Sequence, residues 1–256
     1  MRLFASERRS KILDLLNEHK RITVKQISEE LGVSEATLRA DLNKMEKDEL
    51  LTRTHGGAIL NEDSNDTSFS ERSKRNLNEK RQIAKHAYKL IKDRQCILLD
   101  ASSTALELAK LINESDMNLT VVTTGALTAI ELKDNANITV ILIGGVLTNN
   151  STSIEGLLGI DILNHVNIDT MFTSGYGLSI EKGLTDFNIY EVELKKELVK
   201  TSDKVIALID SSKIDNQSSS SFATIEEINC LITDKPLSSK LENNLTNKIN
   251  VIYALN

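Results

Sequence analysis

The chain has 256 residues, 40% of them hydrophobic and 27% charged, with one proline and 11 glycines. That balance excludes a mainly disordered, collagen-like or proline-rich protein. Its net charge of −6 is uneven: residues 1–60 hold 11 Lys and Arg against 10 Asp and Glu, and the remainder 20 against 27, which permits a DNA-binding head on an acidic body.

The first region, 3–60, reads as helices followed by a short hairpin. Ile12, Leu13 and Leu16 give a helical stripe over about residues 7–19. Thr23 is the expected N-cap of a second helix carrying Val24, Ile27 and Leu31, and Gly32 its stop. Ser34 caps a third helix with Leu38, Leu42 and Met45 inward, and Leu50–Ile59 alternates around Gly56-Gly57 as a two-stranded wing. This spacing over Ile22–Leu42 is that of a helix-turn-helix, whose second helix lies in the major groove. On it, Ser34, Glu35, Thr37, Arg39, Lys44 and Lys47 are the expected exposed side chains. Arg39 is suited to bidentate contact with guanine or phosphate, and Ser34 and Thr37 to phosphate. Thr23 at the start of the preceding helix, with Arg53 and His55 in the wing, completes the expected DNA-facing set.

Residues 61–70 are polar and read as a linker, followed by one long helix over Ser70–Lys92. The rest, 71–256, alternates apolar runs with helical patterns. The runs are Cys96–Asp100, Leu119–Thr123, Ile138–Ile143, Asp169–Thr173, Val205–Asp210, Asn229–Thr233 and Asn250–Ala254. The helices are Thr104–Ile112, Ala126–Leu132, Glu155–Val166, Tyr190–Ser202 and Ser238–Asn247, and Ser218–Ser221 is a solvated loop tip. Continuous Ile/Val/Leu runs between helices predict a largely parallel α/β sheet covered on both faces. Asp100 ends one strand and Ala101-Ser102-Ser103-Thr104 opens the next helix, a turn whose free N–H groups and hydroxyls suit an anion. Gly144-Gly145 after another strand permits close backbone approach, and Lys213 supplies a mobile cation.

The block Ser34-Glu-Ala-Thr37-Leu38-Arg39-Ala40-Asp41-Leu42, with Arg9 before it and His55-Gly56-Gly57-Ala58 after it, resembles the DeoR family of bacterial transcriptional regulators. Further matches are Glu79-Lys80, Leu99-Asp100, Val121-Val122-Thr123, Gly144-Gly145, Gly183-Leu184-Thr185 and Asp210-Ser211-Ser212-Lys213. The resemblance implies a winged helix-turn-helix domain and an α/β sensor domain related to sugar-phosphate isomerases. It also implies double-stranded operator DNA and a phosphorylated sugar as partners, a homo-oligomer (dimer or tetramer), and most often a repressor of carbohydrate-use genes. It extends the expected effector set to Asp100, Ser102, Ser103, Thr104, Thr123, Thr124, Gly144, Gly145, Gly177, Asp186 and Lys213. The chain departs from the family where Ala40 replaces a second basic residue, where Ser102-Ser103-Thr104 replaces Gly-Thr-Thr, and at Thr124, Ser174 and Tyr176.

Two rival readings are an isomerase-like enzyme using Asp100, Asp186, Glu191 or Asp210 as base, and a ligand-independent DNA binder with a decayed pocket. No catalytic role, cofactor or metal is expected: His19, His55, His86 and His165 lie far apart, and Cys96 and Cys230 are too few for a zinc or disulfide framework. No apolar run approaches the roughly 20 residues that span a bilayer, and the charged start carries no secretory signal, so the expected location is the cytoplasm without membrane contact.

Overall fold

The chain divides into two compact units, Met1–Thr67 and Ser68–Asn256. The structure, a computed structural model, describes residues 5–19, 21–47, 51–54, 56–59, 69–148 and 151–255.

In the first unit, α1 (Ala5–His19), α2 (Val24–Leu31) and α3 (Glu35–Lys47) bury Ile12, Leu16, Ile27, Leu38, Leu42 and Met45 together. Thr23 caps α2 reciprocally: its hydroxyl accepts from Gln26 N at 3.2 Å while Gln26 Oε1 accepts from Thr23 N at 2.9 Å. Gly32, at φ 63°, ends that helix by donating its N–H to Ser28 O at 2.9 Å. Asp41, buried in α3, receives both Arg8 and Arg9 from α1, the latter at 3.2 Å. The wing is larger than the two strands expected. Besides β2 (Thr52–Thr54) and β3 (Gly57–Ile59), β1 (Arg21–Thr23) joins the sheet in the order β1-β3-β2. A three-residue strand is too short to show an alternating pattern. Its pairing requires Gly57, where a Cβ would meet Ile22 O at 2.1 Å.

The second unit opens with α4 (Phe69–Lys74) and α5 (Leu77–Tyr88) in place of the single helix expected over Ser70–Lys92. The break is Asn76, which adopts φ 52°, ψ 38° and donates its amide to Asp210 Oδ1 and Ser212 Oγ, each at 3.0 Å. Of the expected linker, residues 61–68 lie outside the described residues, while Phe69 is a buried residue of α4.

The chain then runs through β4 (Cys96–Leu99), α6 (Ser103–Asn113), β5 (Leu119–Thr123), α7 (Ala126–Leu132), β6 (Ile138–Leu142), and the short hairpin β7 (Val146–Leu147) and β8 (Ile154–Glu155). It continues with β9 (Thr170–Thr173), β10 (Gly177–Ser179), β11 (Gly183–Asp186), α8 (Ile189–Thr201), β12 (Val205–Leu208), β13 (Ser220–Ala223), β14 (Cys230–Thr233), α9 (Ser239–Thr246) and β15 (Asn250–Tyr253). Among the described residues, seven of these strands form a parallel sheet in the order β15-β14-β12-β9-β4-β5-β6. Alternate residues feed two cores. Ile97, Leu99, Val121 and Phe172 pack with α5 and α6, while Leu98, Val122, Met171 and Leu231 pack with α8 and α9. Burial on both faces explains why the strands read as unbroken apolar runs. The strand order grows outward from β4 to β6, then resumes at β9 and grows the other way, so its reversal falls between β4 and β9. In such sheets the crevice for a ligand lies at that reversal, beyond the carboxyl ends of the strands.

Two further expectations fail. The helix over Glu155–Val166 is absent: Glu155 ends β8, and only Ile160–His165 form a 3-10 turn. Gly156 at φ 79° and Gly159, where a Cβ would meet Gly144 O at 2.3 Å, break the helical path. Ser220 and Ser221, expected in a loop tip, belong to β13 of a second, antiparallel sheet ordered β10-β11-β13. That sheet depends on Gly183, at φ 64°, where a Cβ would meet Ala223 O at 2.0 Å.

Candidate functional site

The first unit presents α3 with its N-terminus outward. Ser34 Oγ and Thr37 Oγ1 lie 2.9 Å apart, and Thr37 N donates to Ser34 Oγ at 3.4 Å. Arg39 and Glu35 form an exposed pair one turn apart, and Lys44 is exposed on the same helix. Thr23 and Arg53 have local work. The Thr23 hydroxyl serves the α2 cap, and Arg53 folds onto α3, donating to Asn43 through its guanidinium and to Glu46 Oε1 through its main-chain N at 2.9 Å. Buried Arg53 Nε has no partner among the described residues. His55 and the Lys47 side chain lie outside the described residues.

In the second unit, Asp100 stands at the sheet's reversal, fully buried and fully engaged. Its Oδ1 accepts from Ser102 N at 3.0 Å, and its Oδ2 accepts from Thr173 Oγ1 and Ser174 N, each at 2.8 Å. The β4–α6 and β9–β10 connections are thus tied across the crevice. Ser102 caps α6, its hydroxyl accepting from Ala105 N at 3.1 Å. The N–H groups of Ser103 and Thr104 have no acceptor among the described residues, as expected for the first turn of a helix. The β5–α7 turn packs alongside: a Cβ at Gly125 would meet Ala101 Cα at 3.1 Å. There Thr123 Oγ1 accepts from Gly125 N at 3.0 Å, and Thr124 is buried.

Three lysines line this region. Lys195 of α8 is buried against carboxylates, 3.0 Å from Glu191, 3.2 Å from Asp186 and 3.6 Å from Asp100. Burial works against its ammonium, but those carboxylates outweigh it and hold the pKa above the ordinary lysine value. Burial raises the pKa of Glu191, against the pull of Lys195. Lys213 donates to Gly175 O at 2.7 Å and Ser174 Oγ at 3.3 Å; burial lowers its pKa despite Asp210 and Asp186 nearby. Lys80 of α5, 3% exposed, donates to the Arg72 carbonyl, and burial followed by the Lys213 charge lowers its pKa to about 8. Lys80 and Lys213 therefore bond only to neutral acceptors among the described residues.

Asp100, Ser102, Ser103, Thr104, Asp186 and Lys213 are brought together by this network, with Thr123 and Thr124 beside it. The remaining expected effector residues sit in packing positions. Gly145 faces Glu155 O, Gly144 faces Gly159, and a Cβ at Gly177 would meet Asn216 O at 2.3 Å. Among the described residues none of these glycines bonds to the Asp100 cluster. The four carboxylates of the enzymatic reading are all engaged, Asp210 by Asn76 and Ser212. Sequence reasoning assigned no role to Lys80 or Lys195. Each carried a signal, a lysine on an otherwise apolar stripe: Lys80 with Ile83, Ala84 and Ala87, and Lys195 with Leu194 and Leu198.

Residues 8–64 match the DeoR-like helix-turn-helix domain, and residues 75–235 match the DeoR C terminal sensor domain. The chain belongs to the DeoR family. It is 46% identical to the HTH-type transcriptional regulator GolR of Listeria innocua over 93% of this chain and 94% of that one. It is 36% identical to the HTH-type transcriptional repressor GlcR of Bacillus subtilis (91% and 90% covered), and 32% identical to the L-fucose operon activator of Haemophilus influenzae (90% and 92%). This DeoR-family chain is a DNA-binding transcriptional regulator with a sensor domain. Among its described residues no helix is long and apolar enough to cross a membrane.

Proposed function

We propose that this regulator represses a carbohydrate-use operon, grips operator DNA through α3 and the wing, and releases it when a phosphorylated sugar occupies the crevice beside Asp100. It acts as a cytoplasmic homo-oligomer whose copies address related half-sites, and it catalyses no reaction on its effector. The observation that carries the reading is a pair of ammoniums, buried Lys80 and partly buried Lys213, whose hydrogen-bond acceptors are neutral. A buried charge is costly unless paired, and these stand beside a helix start with unused N–H groups, so an anion satisfies both. The names of relatives, a repressor and an operon activator for L-fucose, support carbohydrate control. Within the set, Ser103, Thr104 and Lys213 contact the phosphate, Thr123 and Thr124 flank it, and Asp100 and Asp186 position the lysines.

Fluorescence anisotropy with labelled DNA from upstream of its own gene, titrated against a panel of sugar phosphates, tests the reading. Binding that one phosphorylated sugar reverses is the expected result. Failure to bind that DNA, or binding that no sugar phosphate alters, would overturn it.

A further inference from the structure

Arg72 lies in the last turn of α4, where a helix's final carbonyls have no partner within the helix. Its carbonyl accepts from two other elements: Lys80 Nζ of α5, and Ser103 Oγ of α6 at 3.4 Å. An ammonium closing a helix C-terminus is favourable on charge grounds as well as hydrogen bonding. Ser103 is also the first residue of α6, at the crevice. One main-chain oxygen thus joins the anion-facing turn to α4.

That helix is marginal on its own. It is six residues long, far below the length at which an isolated helix persists in water. Its Phe69 ring is buried, and the Arg72 guanidinium lies 5.8 Å from the centre of that same ring, a contact internal to the helix. It is also the first described element after the residues that lead out of the DNA-binding unit.

We propose that the Arg72 carbonyl is the point at which the crevice acts on α4: a phosphate ester on the Ser103 and Thr104 N–H groups draws Lys80 and the Ser103 hydroxyl onto its own oxygens, and α4 loosens. This rests on reading the crevice as an anion site. The exchange favours the ligand because a phosphate oxygen is a stronger acceptor for an ammonium than a neutral carbonyl. The charges around Lys80 reinforce it: Lys213, Arg72 and Arg75 are cationic, and Asp210 is the opposing carboxylate. Filling the crevice thereby loosens the first described element that follows the DNA-binding unit along the chain.

Amide hydrogen exchange on the full chain tests the relay, with inorganic phosphate and then glucose 6-phosphate and fructose 1-phosphate as probes, each at millimolar concentration. A probe that protects the amides of Ser103 and Thr104 is expected to speed exchange at Ser73, Lys74 and Arg75 by about tenfold, the scale of one lost charge-assisted hydrogen bond. Lys80→Gln is expected to exchange fast at those three amides without any probe, and to respond little to one. Should that variant not fold, Ser103→Ala gives a second reading, with a smaller acceleration expected and an unchanged rate counting against the relay. Protection at Ser103 and Thr104 with no change at Ser73–Arg75 overturns the relay and leaves the anion site standing. No protection by any probe overturns the anion site and the relay together.

Discussion

Arg39 Nη2 lies 3.2 Å from Glu35 Oε2 on α3, the helix proposed to enter the DNA groove, with both side chains about half exposed. An exposed pair at this spacing holds the guanidinium with only a few tenths of a kcal/mol, so DNA phosphate or guanine displaces the carboxylate readily. The carboxylate then faces the backbone as a like charge. Glu35→Gln is expected to tighten operator binding a few-fold, and Arg39→Ala to weaken it by about tenfold or more, the scale of one bidentate contact. Anisotropy titrations at fixed salt read both. Equal affinity in wild type and Arg39→Ala would remove Arg39 from the interface.

Lys213 bonds only to Gly175 O and Ser174 Oγ among the described residues, so its charge is available to a ligand. Replacing it with Met is expected to cost the sugar phosphate about tenfold or more in affinity, the scale of a charge-assisted hydrogen bond. Operator affinity without ligand should be nearly unchanged, because Lys213 lies in the sensor unit. Calorimetric titration checks the first statement and anisotropy the second.

The crevice should be pH-sensitive through Lys80. Its pKa is lowered to about 8, so the ammonium is present below that pH and lost as pH rises through it. A phosphate monoester carries its second charge above about pH 6. Affinity is therefore expected to be greatest between these limits and to fall above pH 8, and more gently in Lys80→Gln, which lacks that ammonium. A flat affinity from pH 7 to 9 in wild type would rule out a role for Lys80 in binding. For folding, the sign is the reverse. The unfolded lysine titrates near 10.5, so between about 8 and 10.5 the unfolded chain binds more protons, and this group's contribution to stability rises with pH.

Lys195 is a structural keystone of the sensor. Replacing it with Met leaves Asp100, Asp186 and Glu191 facing one another in a buried site, a loss of about 3–5 kcal/mol by comparison with broken buried pairs. Urea denaturation followed through the second unit should show this at pH 7. The deficit should shrink as pH is lowered, because burial raises the pKa of Glu191 and its protonation relieves the stranded charge.

Much of the architecture was legible because burial leaves a periodic trace. Each strand of the large sheet lies within an apolar run visible in the sequence, and Gly32 and Thr23 marked the ends of α2 with the chemistry such ends require. The parts that were not legible depend on single residues answering distant ones. Asn76 breaks a helix because Asp210 and Ser212, more than 130 positions away, receive its amide. The sheet β10-β11-β13 is built from strands of three or four residues, too short for a pattern to stand out. The site was half legible for the same reason. Asp100, Ser102–Thr104 and Lys213 sit at strand ends, where chemistry is expected, whereas Lys80 and Lys195 reach it from helix interiors.

Arg8 and Arg9 both turn inward to Asp41. Two of the 11 basic side chains in residues 1–60 are thereby committed to fastening α1 against α3. Each head is left with a modest stock of cations to exchange for the counterions condensed on DNA, and one head alone should hold weakly. In the proposed homo-oligomer, firm, selective occupancy then falls to avidity, with the first head raising the local concentration of the next at its own half-site. How steeply affinity declines with added salt becomes a gauge of how many heads are engaged at once.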